Sequence, residues 1–138
     1  MSGRVVHFEI PFDDGARARS FYTDLFGWQL QDVPGMDYSL VMTGPVGEQG
    51  PTEAGYINGG MTQRGGPVEH PVVTIDVDDI DATLRVVTER GGTTVMERQP
   101  VGPMGWTAYF RDPEGNVVGL WQTNPEGRGP GGPADYEV

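Results

Sequence analysis

The chain has 138 residues, a length that favours one domain with a hydrophobic core of its own. Twenty acidic side chains against nine basic ones give a formal net charge of −11, so we expect no binding to nucleic acid or to membrane surfaces. The chain has no cysteine, which excludes disulfides, thiolate metal sites and cysteine nucleophiles, and it has no apolar run long enough to cross a bilayer.

The first half of the chain predicts a strand, a helix and three further strands. Residues 5–10 are β-branched or aromatic, and Asp13-Asp14 after them suits the N-cap of a helix. Apolar residues at positions 18, 21, 22, 25 and 26 then follow a helical spacing that ends at Gly27. Strand candidates follow at 28–33, 38–43 and 56–62, with Gly/Pro-rich loops at 45–55 and 63–69.

The second half repeats this order of elements. Residues 72–77 form the strand candidate, and Asp78-Asp79 precedes a helical spacing of apolar residues from Ile80 to Val87. Strand candidates follow at 93–97, 106–111 and 116–122. Residues 124–138 have the Gly/Pro-rich composition of a flexible tail.

The two halves can be aligned with each other. A shift of 65 residues places the segment from His7 to Asp14 on the segment from Val72 to Asp79, and nearby shifts place Gly59 on Gly119 and Tyr38 on Trp106. We therefore predict an α+β fold of two βαβββ modules with pseudo-twofold symmetry, over roughly residues 4–62 and 70–123.

Motifs at both ends of this repeat resemble the vicinal oxygen chelate superfamily. The opening motifs are His7, Asp13-Asp14, Phe21-Tyr22 and the run Leu25-Phe26-Gly27-Trp28, and the run from Asp112 to Asn116 leading into Leu120-Trp121-Gln122 resembles the closing strand. The superfamily includes glyoxalases, extradiol dioxygenases, fosfomycin-modifying enzymes and metal-free bleomycin-binding proteins. The resemblance implies one domain over residues 1–123, with a mixed β-sheet curled into a cup and one site between the modules.

The resemblance also implies where a metal ion would be held. Metal-dependent members bind a divalent ion through side chains on the first and fourth strands of each module, and those positions fall here on His7, Val72, Gly59 and Gly119. Three of these have no donor side chain, whereas a divalent ion normally takes at least three protein ligands. We therefore predict no metal and no other cofactor, although Glu9 or His70 could complete a site.

Strand alternation indicates which residues face the cup. His7 and Glu9 share one strand face and are the candidate catalytic residues, as an acid–base pair, or else a hydrogen-bonded polar floor. Glycines at both fourth strands suggest room for a ligand, and Trp121 suggests an aromatic wall. The predicted ligand-binding residues are His7, Glu9, Asn58, Gly59, Met61, Val72, Thr74, Trp106, Gly119 and Trp121.

These observations predict a metal-free protein that binds a small apolar or aromatic organic molecule in the cup. Three alternatives stay open at this point: a metal-dependent glyoxalase or dioxygenase with His7 and Glu9 among its ligands, a metal-independent lyase or isomerase that uses His7 as acid or base, and a structural interaction protein. We further expect a homodimer, because a second copy would bury the exposed sheet edges and the apolar helix stripes. We also expect the protein to be cytoplasmic.

Overall fold

The structure is a computed structural model that describes residues 3–48 and 50–127. Its elements in chain order are β1 (Val5–Phe12), α1 (Gly15–Phe26), β2 (Gln29–Asp32), β3 (Tyr38–Met42), β4 (Val46–Gly47), β5 (Gly50–Pro51), β6 (Gly59–Gln63), β7 (Val72–Asp76), α2 (Ile80–Glu89), β8 (Thr93–Val101), β9 (Gly105–Arg111), β10 (Val117–Thr123) and a 3-10 helix, Pro125–Gly127. No helix in this part of the chain is long and apolar enough to cross a membrane.

Eight of these strands form one mixed sheet in the order β2-β3-β6-β1-β7-β10-β9-β8. The two modules meet at its centre, where β1 and β7 pair antiparallel. From the centre outwards, each module presents its first, fourth, third and second strand, and the first and fourth strands pair in parallel. The predicted α+β fold of two βαβββ modules with pseudo-twofold symmetry is therefore confirmed.

The helices begin where the sequence predicts. The Asp14 side chain accepts a hydrogen bond from the Arg17 amide at 3.0 Å, and Asp79 accepts one from the Ala82 amide at 3.1 Å. Each aspartate thereby satisfies an amide that has no partner within the first helical turn. Helix α1 ends at Gly27, whose φ of 72° lies in the left-handed region that favours glycine.

Each helix covers one face of its own module and leaves the other face of the sheet open. Phe8 and Ile10 of β1 pack with Tyr22 of α1, and α2 packs through its buried Ile80 and Leu84. Because successive side chains of a strand point to opposite faces, His7 and Glu9 lie on the concave face, away from the helices. The predicted orientation of these two residues is confirmed.

The loops hold small elements that the sequence analysis does not predict. Within the predicted loop 45–55, β4 and β5 form a two-stranded hairpin, and within 63–69 an isolated bridge joins Gly65 and Val68. At the start of the predicted tail, the backbone N–H of Asn124 donates a hydrogen bond to the Met104 carbonyl at 2.8 Å. The rest of that prediction, residues 128–138, lies outside the described residues.

The strand register corrects the alignment of the two modules. Glu9 pairs with Gly60, and Thr74, which is 65 residues after Glu9, pairs with Gly119. Gly60, and not Gly59, is therefore the structural counterpart of Gly119. A shift of one residue reverses the face on which every side chain of a strand lies.

The alignment of the third strands of the two modules also shifts by one residue. Tyr38 pairs with Thr62, and Thr107 pairs with Trp121. Because Thr62 and Trp121 correspond once the fourth strands are aligned on their glycines, the counterpart of Tyr38 is Thr107 rather than Trp106.

Candidate ligand site

The concave face of the sheet encloses a cavity of about 310 Å³ between the two modules. That volume is at the lower end of the range of roughly 300–1,000 Å³ for small-molecule pockets. The lining residues are Val6, His7, Glu9, Val33, Met36, Tyr38, Leu40, Thr62, Gln63, Gly65, Pro67, Val68, Thr74, Met96, Val101, Thr107, Tyr109 and Trp121. Both modules contribute strands to this wall, and apolar and aromatic side chains make up much of it.

Two tyrosines bind the two polar residues of β1. His7 Nε2 lies 2.7 Å from the Tyr38 hydroxyl, within hydrogen-bond distance, and the two rings are nearly parallel. The Tyr109 hydroxyl donates to Glu9 Oε1, and both of these residues are buried. This tyrosine comes from β9 of the second module, so its hydrogen bond joins the two modules across the cavity.

The electrostatics of these groups keep both phenols protonated. Burial, followed by the negative charge of nearby Glu9, raises the pKa of Tyr38 and that of Tyr109 well above the ordinary value of 10. A protonated phenol is a hydrogen-bond donor, and a carboxylate can accept several such bonds. The arrangement therefore holds a buried acidic side chain with neutral donors.

Glycine on the fourth strands makes this arrangement possible. A Cβ atom at Gly60 would overlap the hydroxyl and ring of Tyr38, so this phenol fits only above a residue without a side chain. At Gly119 a Cβ atom would lie 2.7 Å from Thr74 Oγ1, closer than real contacts of this kind. The predicted room for a ligand at Gly59 and Gly119 is therefore corrected: Phe8 occupies the space at Gly59, Tyr38 that at Gly60, and Thr74 that at Gly119.

Four of the predicted ligand-binding residues line the cavity: His7, Glu9, Thr74 and Trp121. Two others lie beside it. Val72 packs with Val68 and Tyr109, which do line the cavity, and Gly119 pairs with both Thr74 and Tyr109.

The remaining four lie away from the cavity. Met61 packs in the core beneath α1, a Cβ atom at Gly59 would meet Phe8 on that same side, and Trp106 packs against the core beneath α2. Asn58 is fully buried and accepts a hydrogen bond from the Thr43 amide at 2.8 Å. The placements of Asn58, Gly59, Met61 and Trp106 at the cup are therefore corrected. For Gly59 and Met61 the cause is the one-residue shift in register, whereas Trp106 shares its strand face with Ala108 in the core beneath α2.

Sequence reasoning missed Tyr38 and Tyr109, the two residues that complete the polar floor. Alternation does place Tyr109 with Thr107, and Tyr38 with Leu40, on common strand faces. Both pairs face the cavity. The signal that could have found them is the correct alignment of the third strands of the two modules. In that alignment Tyr38 is equivalent to Thr107, and Leu40 is equivalent to Tyr109.

The residues present do not fit a resident divalent metal ion. With the register corrected, the four family positions are His7, Val72, Gly60 and Gly119, of which only His7 has a donor side chain. Within residues 3–48 and 50–127 there is no group of three or more metal-ligating side chains. His70 is exposed and does not line the cavity, while Glu9 is already bonded to Tyr109.

Comparison with known proteins gives one consistent group of relatives. Residues 4–44 match the family model described as "Bleomycin resistance protein-like N-terminal". A "Glyoxylase-like domain-containing protein" of Didymella fabae is 31% identical over 85% of this chain and 91% of its own length. A protein of Mycobacterium tuberculosis named "Putative glyoxylase CFP32" is 35% identical over 80% of this chain, but the match spans only 42% of that longer protein.

Solved structures share the fold at low sequence identity. A glyoxalase/bleomycin resistance protein/dioxygenase superfamily member from Vibrio splendidus superposes with a TM-score of 0.57 at 19% identity, over 88% of this chain and 99% of the other. Methylmalonyl-CoA epimerase from Mycobacterium tuberculosis gives a TM-score of 0.59 at 19% identity, over 90% of this chain and 89% of the other. At such identities the likeness concerns the fold alone.

Because Tyr38 and Tyr109 are buried with raised pKa values, we predict that the free energy of unfolding falls at alkaline pH. The chain contains neither lysine nor cysteine, so tyrosines are the only side chains that titrate between about pH 9 and pH 12. Because the pKa values of Tyr38 and Tyr109 are raised on folding, the unfolded chain releases these protons first. The free energy of unfolding should therefore be unaffected below about pH 9 and fall above about pH 10, by up to roughly 1.4 kcal/mol per pH unit for each phenol.

Urea unfolding at several pH values, with tyrosinate absorbance as a second probe, measures this effect. Tyr109→Phe should make the alkaline fall in stability shallower. Tyr56→Phe is the matched control, since it removes an exposed hydroxyl that bonds the Pro45 carbonyl. Equal slopes for the wild type and Tyr109→Phe would contradict the prediction.

Proposed function

The chain belongs to the vicinal oxygen chelate superfamily of glyoxalases, bleomycin resistance proteins and dioxygenases, and we propose that it is a metal-free member that binds a small organic molecule. The observation that carries this proposal is the network of His7, Tyr38, Glu9 and Tyr109 at the floor of the cavity. It occupies the place at which metal-dependent members of the superfamily are expected to hold their ion.

The donor set supports a metal-free site. Tyr38 lies over Gly60, where a fourth-strand ligand side chain would otherwise stand, and it bonds the imidazole that would be the first-strand ligand. A phenol kept protonated by burial is a poor ligand for a divalent cation, because metal ligands bind in their deprotonated form. His7 and Glu9 are thus each hydrogen-bonded to a protonated phenol.

The cavity walls indicate the kind of molecule that fits. Val68, Met96 and Val101 form part of the apolar surface, and Trp121 adds an aromatic face. Such walls bind through burial of apolar area, while the few polar groups fix the orientation of the ligand. A compact aromatic or branched aliphatic compound with one polar group suits this combination.

We predict that a neutral aromatic probe, 4-tert-butylbenzyl alcohol, changes the tryptophan emission of the protein saturably. Of the three tryptophans, Trp121 lines the cavity, whereas Trp28 and Trp106 pack on the helix side. Trp121→Phe should abolish the emission change, and Trp106→Phe should retain it. An unsaturable change, or one that depends on Trp106, would contradict binding in this cavity.

His7→Ala tests the metal-free assignment. The variant removes the hydrogen-bond partner and the stacked ring of the buried Tyr38 hydroxyl, so the free energy of unfolding should fall by about 1–3 kcal/mol, while the probe should bind more weakly. A chelator should leave the melting temperature of both proteins unchanged. Stoichiometric metal in purified protein, with a chelator lowering the melting temperature of the wild type alone, would instead favour the metal-dependent enzyme.

We also propose that the protein forms a homodimer through α1. Phe21, Leu25 and Phe26 lie along this helix and are 55%, 59% and 61% exposed. Helix α2, by contrast, buries Ile80 and Leu84 beneath it. An apolar stripe of this kind on a water-exposed helix favours contact with the same stripe of a second copy.

Light scattering at micromolar concentration measures this assembly. The wild type should have a dimeric mass, and Leu25→Asp should be monomeric because it introduces a charge into the apolar stripe. Val86→Asp on α2 is the matched control, since Val86 is also exposed, at 48%. A monomeric wild type would contradict the proposal.

A further inference from the structure

We infer that the ligand of this cavity carries an organic cation, such as a protonated amine, which lies next to Glu9. This inference rests on the proposed function and adds to it the chemical class of the ligand. It follows from three observations: the ionisable groups on the wall, the surroundings of Glu9, and the placement of the arginines.

The cavity wall has an acidic group and no strongly basic one. Among the described residues, its ionisable members are His7, Glu9, Tyr38 and Tyr109, and neither arginine nor lysine lines it. Both phenols are neutral at physiological pH, since the ordinary pKa of tyrosine is about 10 and burial raises it here. Glu9 therefore supplies the only negative charge on the wall, and the net charge of −11 adds to the same field.

Three arginines near lining residues in the sequence or on their strands, Arg64, Arg98 and Arg111, have partners elsewhere, and Arg111 of β9 donates to the Gly115 carbonyl at 3.0 Å. Arg64 lies next to the lining residues Gln63 and Gly65, but its guanidinium bonds Asp13 at 2.9 Å and the Glu69 carbonyl. Arg98 of β8 lies over the ring of Trp106, on the helix side of the sheet. An anionic ligand would thus meet Glu9 with no guanidinium to compensate its charge.

Glu9 retains the capacity to bind a cationic group. The carboxylate interacts with the hydroxyls of Tyr109 and Tyr38, whereas an ionised carboxylate has about four acceptor positions. Three aromatic rings, those of Tyr38, Tyr109 and Trp121, share the cavity with it. Aromatic faces attract ammonium groups, and the attraction grows when the cation is removed from water. A carboxylate within aromatic walls is therefore chemically suited to an organic ammonium ion.

The experiment compares three probes of the same shape by titration calorimetry. 4-tert-Butylbenzylamine, 4-tert-butylbenzyl alcohol and 4-tert-butylbenzoate differ in the charge of one substituent, which is positive, neutral or negative at pH 7. We expect the amine to bind the wild type at least about tenfold more tightly than the alcohol, and the benzoate at least about tenfold more weakly than the alcohol.

Glu9→Gln removes the charge but keeps the size and the acceptor for Tyr109. In this variant the amine and the alcohol should bind with Kd values within about threefold of each other. Glu114→Gln is the matched control, because it removes one negative charge from an exposed turn that does not line the cavity. The control should keep the preference for the amine.

The outcomes separate this inference from the proposed function. If the alcohol or the benzoate binds the wild type as tightly as the amine, the inference is overturned and small-molecule binding stands. The inference also fails if Glu114→Gln reduces the preference as much as Glu9→Gln does, since the net charge would then explain it. If none of the three probes binds, the proposed function fails as well.

Discussion

The buried carboxylate of Glu9 is the constraint on which the rest of the site depends. A charged group that is only 6% exposed is costly unless hydrogen bonds and neighbouring groups compensate it. Its compensation comes from Tyr109, one hundred residues away in sequence and in the other module. The hydrogen bond between Glu9 and Tyr109 therefore exists only when both modules are folded and paired through β1 and β7.

The same constraint explains the glycine on the fourth strand of the first module. Glu9 pairs with Gly60 in the sheet, and Tyr38 lies over that glycine and reaches the cavity floor. The absence of a side chain at position 60 thus removes a potential metal ligand and makes room for a phenol at once. The volume that a side chain at position 60 would take is occupied in this chain by the Tyr38 phenol, which bonds His7.

Much of the fold could be predicted from the sequence because local signals define it. Asp14 and Asp79 cap their helices, Gly27 ends α1, and alternation in β1 separates His7 and Glu9 from the core. The modules could be aligned only through few identities, and the consecutive glycines at 59 and 60 match Gly119 equally well. Sequence alone does not choose between them. The hydrogen-bonded register does, and the error of one residue placed Gly59 and Met61 on the wrong face.

The corrected register also shows that the pseudo-twofold symmetry is broken inside the cup. Each module contributes one tyrosine, but from different positions: the counterpart of Tyr38 is Thr107, and the counterpart of Tyr109 is Leu40. Both phenols therefore converge on Glu9, while its own counterpart, Thr74, is uncharged. The carboxylate and the imidazole of the cavity wall lie on the first module, whereas the polar groups of the second module are the hydroxyls of Thr74, Thr107 and Tyr109. A ligand whose single polar group is cationic would therefore place that group against the first module, although the fold that surrounds it is nearly symmetric.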